Sequence, residues 1–456
     1  MQRRLKDFFQ ADGNRAKAQR STALVILGFG GGNFLRLLSN LILTRLLFPE
    51  AFGLMALVFV FLTGLQLFSD VGFNLSIIQN KRGTDPDFLN TVWSLQIIRG
   101  FILWLGACAL AYPAVLIYDE PLLGQLLPVV GLTALIQGFS TTKVALANRN
   151  LQVGVQVMTD LASQLVTLII TVAIAWATGS VWSLVAGSLF GITLKVIAQH
   201  ILLKGPNNRW HIERAAVWDL LGFGKYIFLA SIAGFLVLQS DRAILGAYVS
   251  LADLGVFMVG YIFASLPIEL NRAVGSKVIL PLFSRFPTIG NQENRKKVLK
   301  ARRMTLIAIA TISGVLSIVS VPMIDNLYDD RYHNAGAILA LMGITVATYL
   351  ASSNYEGAYL AAGDSHQQFR LTGIEAIAQV IVSLLLISKF GTLGAVFALG
   401  LSAMIMYPFR ALVAKNYGAW DPKTDLSALA IGWSSAALSF YLWQDDIQIF
   451  LRASAF

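Results

Sequence analysis

Thirteen apolar runs set the frame of this chain. They fall at roughly 21–47, 51–78, 89–117, 122–146, 155–177 and 181–203. After a basic link from Lys204 to Arg214 they resume at roughly 218–248, 254–284, 304–328, 335–362, 370–388 and 392–414, with a last run at about 426–443. A helix of about 20 apolar residues crosses a hydrocarbon core. The pattern therefore predicts an all-α polytopic membrane protein. Its expected parts are a basic segment 1–20, an N-terminal lobe of six spans over 21–203, a linker at 204–217, a C-terminal lobe of six spans over 218–415, and a C-terminal segment 416–456 holding the thirteenth.

Polar positions inside these runs are not scattered. In the stretch Leu221 to Phe283, two apolar helices carry Lys225, Asp241, Arg242, Glu269, Arg272 and Lys277. Tyr261, Ser265, Glu269, Arg272 and Ser276 recur every three or four residues and so share one helical face. The first run has a similar stripe, Asn33, Arg36, Asn40 and Thr44. Arg36 lies about 22 Å along the helix from Ser21, near mid-span, too deep to reach water by stretching. Arg45, beside Phe48 and Pro49, is open to either an inward or a snorkelling reading. Thr63, Gln66, Asp70 and Asn74 read as a face of the second span, and Thr345, Thr348, Ser352, Glu356 and Tyr359 as a face of the tenth. A charge within a span costs several kcal/mol unless it faces protein or water. Arg36, Arg99, Arg242, Arg272 and Lys277, with Asn33 and Asn40, are thus candidate ligands for a substrate. Glu269, Asp70, Asp241 and Glu356 are candidate carriers of a coupling ion. For Asp70 the structural roles, capping its helix or pairing with Arg36 or Lys81, are the stronger reading. Glu269 and Arg272 are spaced to pair with each other. Glu375, Lys143, Lys195 and Arg410 sit nearer span ends, where snorkelling accounts for them.

Composition agrees with the pattern. The chain is 56% hydrophobic and 13% charged, against about 25% charged in a soluble domain, and its mean hydropathy is +0.66. The net charge of +10 is that of loops orienting a membrane protein rather than of a nucleic-acid binder. Basic links (Lys81-Arg82, Arg149, Lys204 to Arg214, Arg285 to Arg303, Arg370, Lys415 and Lys423) alternate with acidic or neutral ones (Phe48 to Glu50, Asp119-Glu120, Thr178 to Ser180, Ser250 to Asp253, Asp325 to Arg331, Ser388 to Thr392). That alternation predicts a cytoplasmic N-terminus and puts Asp445-Asp446 outside. Met1 to Arg20 is basic and amphipathic, suited to an anionic leaflet or to an orienting tail. The first run has no small-residue cleavage site and is expected to stay as a span. Cys108 is the lone cysteine and the four histidines lack ligand spacing, so neither a disulfide nor a metal site is expected. The glycines of GFGGG at 28–32 follow no strand and suit close helix packing better than phosphate binding.

The two six-span sets share a weak repeat. ILGFGG at 26–31 matches LLGFGK at 220–225, and PEAFGLMAL at 49–57 matches LADLGVFMV at 251–259. Both sets begin on the same side, which makes the repeat parallel. A parallel repeat predicts a central cavity between the halves, with access alternating as one half rocks on the other.

NFLRLLSNLILTRLLFPEAFGLMAL (33–57), FSDVGFNLSIIQ (68–79) and LGFGKYIFLASIAGFLVLQSDRAILGAYVSLADLGVF (221–257) resemble the polysaccharide-transport family of lipid-linked oligosaccharide flippases, within the multidrug/oligosaccharidyl-lipid/polysaccharide exporter superfamily. The resemblance implies two six-helix lobes around a cationic cavity in the bacterial inner membrane. It implies passage of an undecaprenyl-pyrophosphate-linked oligosaccharide from the cytoplasmic to the periplasmic leaflet, for lipopolysaccharide, capsule or exopolysaccharide, with a glycan polymerase downstream. The family's cavity arginine in the first span and basic residues in the eighth correspond to Arg36, Arg272 and Lys277. Members have 12 or 14 spans, so the short tail after Trp443 is a departure. No cofactor is implied beyond coupling to a H⁺ or Na⁺ gradient. Two alternatives stand beside this one. A multidrug exporter of organic cations is disfavoured by the basic stripes. A membrane glycan polymerase or glycosyltransferase is disfavoured by short outer links without paired carboxylates.

Overall fold

The computed structural model describes residues 14–69, 72–150, 152 and 154–453, and every regular element in them is helical. The first thirteen residues of the basic N-terminal segment, and Asp70, lie outside them. In chain order the helices are α1 Asn14–Leu46, α2 Pro49–Leu67, α3 Phe73–Gln79, α4 Pro86–Tyr118, α5 Pro121–Gly138, α6 Lys143–Arg149, α7 Gly154–Thr178, α8 Trp182–Leu202 and α9 Arg214–Leu245. They continue with α10 Leu251–Val274, α11 Leu280–Arg285, α12 Gln292–Ile318, α13 Ser320–Leu327, α14 Asn334–Ser353, α15 Glu356–Ala361, α16 Ser365–Asn416, α17 Pro422–Leu442 and α18 Gln444–Ala453. Among the described residues nine helical segments are long and apolar enough to cross a membrane. One of these, α16, is two arms folded at Gly391 (φ 50°, ψ −126°), where the sequence predicts the link between its eleventh and twelfth spans.

All thirteen predicted runs are helical, but several are not single helices. The second stops at Leu67 and restarts at Phe73, so Thr63 and Gln66 do not share one continuous helical face with Asn74. The fourth is interrupted between Gly138 and Lys143, and the ninth at Val319. The eighth widens into a π-turn at Gly275–Ile279. The tenth is broken at Asn354 and Tyr355, which separates Glu356 and Tyr359 from the stripe expected with Thr345, Thr348 and Ser352. The second and fourth spans of both six-span sets are thus interrupted.

Contacts divide the chain into two compact units, residues 1–47 with 61–231, and 48–60 with 232–456. The segment 204–217, expected to be a link between lobes, packs wholly in the first unit. It is strapped down by side chains. Arg209 N donates to Asn90 Oδ1 (2.9 Å), His211 N to Ser94 Oγ (3.0 Å) and Glu213 N to Thr91 Oγ1 (3.0 Å). The Arg82 guanidinium forks onto Glu213 and Asp85, each at 2.6 Å, and holds the Asp85 carboxyl below its ordinary range. Lys143, expected to snorkel, is instead buried, donating to His200 O and Asn207 Oδ1, each at 2.9 Å.

In the second unit, Arg302 and Asp425 are both fully buried and meet at 2.6 Å. Tyr355 and Tyr407 donate their hydroxyls to the other carboxylate oxygen, and the Tyr355 ring lies 4.0 Å from the Arg302 guanidinium, within cation–π range. Links assigned to one side of the membrane by charge also meet in space. Thr288 donates to Tyr417 O, Arg295 to Gly418 O, and Tyr417 to Asp364. On the other side Arg331 lies over the Phe48 ring.

Two glycines set the closest helix approach in this unit. A Cβ on Gly53 would sit 2.0 Å from Leu251 O, and a Cβ on Gly255 would sit 2.0 Å from Pro49 O. The first turns of α2 and α10 therefore touch backbone to backbone, each through the other's glycine. Gly53 and Gly255 hold the same place in PEAFG and LADLG.

The last described helix, α18, is bent 93° from α17 and buries Ile447 and Phe450. His333 pins it: Nδ1 faces Asp325 Oδ1 at 2.8 Å and Nε2 faces Asp446 Oδ1 at 3.2 Å. A neutral imidazole donates from one nitrogen only, whereas imidazolium donates from both. Raising the pH through the histidine's titration should therefore loosen α18, and His333→Gln should loosen it at every pH. Amide hydrogen exchange of residues 444–453 measures this. Exchange that is insensitive to pH after correction for its intrinsic rate would rule the clamp out.

Candidate functional site

In the first unit, α1 carries the expected stripe. Asn33 Nδ2 donates to Phe29 O at 3.0 Å and the buried Thr44 hydroxyl donates to Asn40 O at 2.9 Å. Both groups thus satisfy themselves on their own helix, as short polar side chains do. Asn33 and Asn40 are half-buried, whereas Arg36 and Arg45 are exposed at the surface of the unit.

Arg99 plays a different part. Its Nε donates to Ser69 Oγ at 2.8 Å and its Nη2 to Gln66 O at 2.6 Å. The break after α2 frees carbonyls, and Arg99 satisfies one of them while lining a cavity. Lys195, expected to snorkel, pairs with Asp160 at 3.0 Å and lines the same cavity.

In the second unit, α9 and α10 meet through charge and ring. Arg242 stacks 4.0 Å over the Tyr261 ring and donates to Gln239 Oε1 at 2.9 Å. Asp241, 4% exposed, turns back to accept from Arg242 N at 2.8 Å. Tyr261 heads the polar stripe of α10. Below it Ser265 donates to Ile262 O, Glu269 is half-buried, and Arg272 is exposed. Lys277 is exposed within the π-turn, a local widening that recurs at functional sites. Asn271 is buried and accepts from Asn354 Nδ2 at 2.6 Å, which fastens α10 to the break in the tenth span.

Glu356 opens the helix after that break. Its carboxylate is 3.8 Å from Arg410 Nη2, which is also 2.5 Å from Glu375. Glu375 and Arg410 are 2% and 1% exposed, so snorkelling does not describe them. They are a buried pair joining the two arms of α16, with Glu356, 41% exposed, as a second carboxylate at its edge. The signal was present in the sequence. Glu375 stands 13 residues before the Ser388 to Thr392 link and Arg410 18 residues after it, so an antiparallel hairpin brings them within about 8 Å of one depth, inside the reach of two long side chains. Among the described residues no three metal-ligating side chains are placed to hold an ion.

Known proteins share this architecture. The family described as polysaccharide biosynthesis protein matches residues 42–337. The succinoglycan biosynthesis transport protein ExoT of Rhizobium meliloti (strain 1021) is 20% identical over 368 residues, 80% of this chain and 73% of that one. The lipid II flippase MurJ in an inward closed conformation superposes with a TM-score of 0.69 at 16% identity, over 95% of this chain and 96% of that one. An inward-facing multidrug resistance transporter of the MATE family superposes at 0.65 with 13% identity, over 84% of this chain and 95% of that one. At such identities the two structures speak for the fold.

Arg410→Met strips two carboxylates of their shared cation, and removing one partner of a buried pair costs about 3–5 kcal/mol. Glu356→Gln, at the exposed edge, should cost under about 1 kcal/mol. Unfolding of the purified protein in detergent compares them. Equal effects would show that Glu356, not Glu375, is the working partner of Arg410.

Proposed function

The chain belongs to the polysaccharide biosynthesis protein family, and from that membership we propose that it is a flippase for lipid-linked glycans. The substrate is an undecaprenyl-pyrophosphate-linked oligosaccharide, carried from the cytoplasmic to the periplasmic leaflet of the bacterial inner membrane. Carriage is by alternating access, with no covalent chemistry. The observation that carries this reading is the exposure of Arg36, Arg272 and Lys277 on otherwise apolar helices. Guanidinium groups pair with phosphate oxygens two at a time, so Arg36 in the first unit and Arg272 in the second each suit a phosphate. Asn33 and Asn40 flank Arg36 and suit the adjoining polar groups. The isoprenoid tail stays in the bilayer, because moving it through a polar site would forfeit its hydrophobic transfer energy.

The relative named as a succinoglycan transport protein supports transport over catalysis, and so does the fold neighbour named as a lipid II flippase. The multidrug reading has a fold neighbour too, but exposed cations repel organic cations. Energy comes from a H⁺ or Na⁺ gradient. Glu356 is the best-placed carrier among the acidic candidates, being half-exposed beside a carboxylate already neutralised by Arg410. With the N-terminus cytoplasmic, the glycan is released on the side where a polymerase takes it up.

The test is delivery of undecaprenyl-pyrophosphate oligosaccharide across proteoliposomes. A charge-assisted hydrogen bond contributes about 1.5–3 kcal/mol, or about 10- to 100-fold. Arg36→Ala and Arg272→Ala should each slow delivery by at least about tenfold in folded protein. Delivery unchanged in both variants would refute the site. No delivery by the wild type, together with export of organic cations, would refute the function.

A further inference from the structure

Within the first unit, α2 to α8 line a partly open cavity of about 240 Å³. Its wall is rich in amides, among them Gln96, Gln156 and Gln199. Among the described residues the cations that line it are Arg99 and Lys195, and both are engaged, one with Gln66 O and Ser69, the other with Asp160. Charge therefore does not define what the cavity takes. The side-chain oxygens of Gln96 and Gln156 are buried with no donor beside them, and Gln199 is only 3% exposed.

Leaving a buried amide oxygen unpaired costs about 1–3 kcal/mol, and apolar residues of the same size would pack here without that penalty. As they stand these two oxygens are closed to a molecule the size of water, and a ligand meets them once the amide turns over to face the cavity. Each amide offers two donors and an acceptor, the complement of a hydroxyl group. An inorganic anion would need unengaged cations, and an apolar guest would leave the amides unpaired. A volume of about eight waters is on the scale of one sugar ring.

We propose that this cavity binds a neutral sugar residue of the carried glycan, and that Gln96, Gln156 and Gln199 select it. The proposal rests on the reading of the chain as a lipid-linked glycan flippase. The geometry links it to the cation of the first span. Gly28 and Gly31 of α1 lie against Val157 and Leu161 of α7, so the helix bearing Arg36 packs on the helix bearing Gln156. By that register Arg36 lies about nine residues, or about 14 Å, further along α1 than the level of Gln156, so a pyrophosphate at Arg36 and a sugar at the amides would occupy two separate subsites of one unit. Sites that hydrogen-bond hydroxyls discriminate sharply against analogues that lack them.

Gln156→Met/Gln199→Met removes the amides at nearly constant volume, and Gln96→Met serves if the pair does not fold. Binding is measured in detergent for two probes, bare undecaprenyl pyrophosphate and the lipid-linked oligosaccharide extracted from the native host. The expected result is binding of the glycan-bearing lipid weakened about tenfold, with the bare lipid unchanged. Equal weakening of both probes would assign the amides to the pyrophosphate or to the fold and overturn the proposal. No weakening of either would leave the cavity to water and overturn it as well. Wild-type protein that binds neither probe would instead refute the flippase reading, and the sugar site with it.

Discussion

Hydrocarbon offers a buried charge no hydrogen bond, so each charge taken inside this bundle has to be answered by another part of the chain. Arg302 and Asp425 show what that requires. They come from α12 and α17, far apart in sequence, and the carboxylate accepts from the guanidinium and from two tyrosines. Glu375 and Arg410 tie the arms of α16 in the same way, and Lys143 ties α6 to the strap that follows α8. Burial of apolar surface does not distinguish one neighbour from another when all the helices are apolar. These polar ties do, because a misplaced partner leaves a charge unanswered.

The same logic explains the interrupted helices. A break frees carbonyls and amides that need partners. After α2 they are met by Arg99, and at the end of α3 Arg149 reaches Ile77 O and Asn80 O, each at 2.7 Å. At the break in the tenth span Asn354 finds Asn271. The cations of this chain therefore divide by environment. Arg82, Arg99, Arg149, Arg302 and Arg410 serve backbone and carboxylates. Arg272 and Lys277 stand at the surface of the second unit.

Run length and loop charge made the helices legible, because both are properties of a single segment. The breaks were not, because FLTGLQLFSDVGFNLS reads as well as one striped helix as it does as two. Glu375, Arg410 and Lys143 were misread as snorkelling for a related reason. That reading weighs each charge alone, whereas burial depends on which spans adjoin. The stacking of Arg242 on Tyr261 was hidden likewise, since neither residue names its partner. The stripe of α10 was visible as far as Arg272 because helical spacing alone defines it. The amide-lined cavity was legible only in fragments: Gln66, Asn74, Arg99 and Lys195 stand out in their own spans, but Gln96, Gln156 and Gln199 come from separate helices with no shared spacing.

The contact between Gly53 and Gly255 carries a consequence for genetics. A clash between two side chains can be relieved by a second mutation that shrinks one of them. Here neither helix has a side chain at the crossing, and the atoms in the way are the main-chain oxygens of Pro49 and Leu251. Enlarging either glycine therefore has no local suppressor by size, and revertants are confined to the altered codon or to changes that shift a whole helix. Because the two positions mirror each other, such lesions in the two halves of the gene fall into one class.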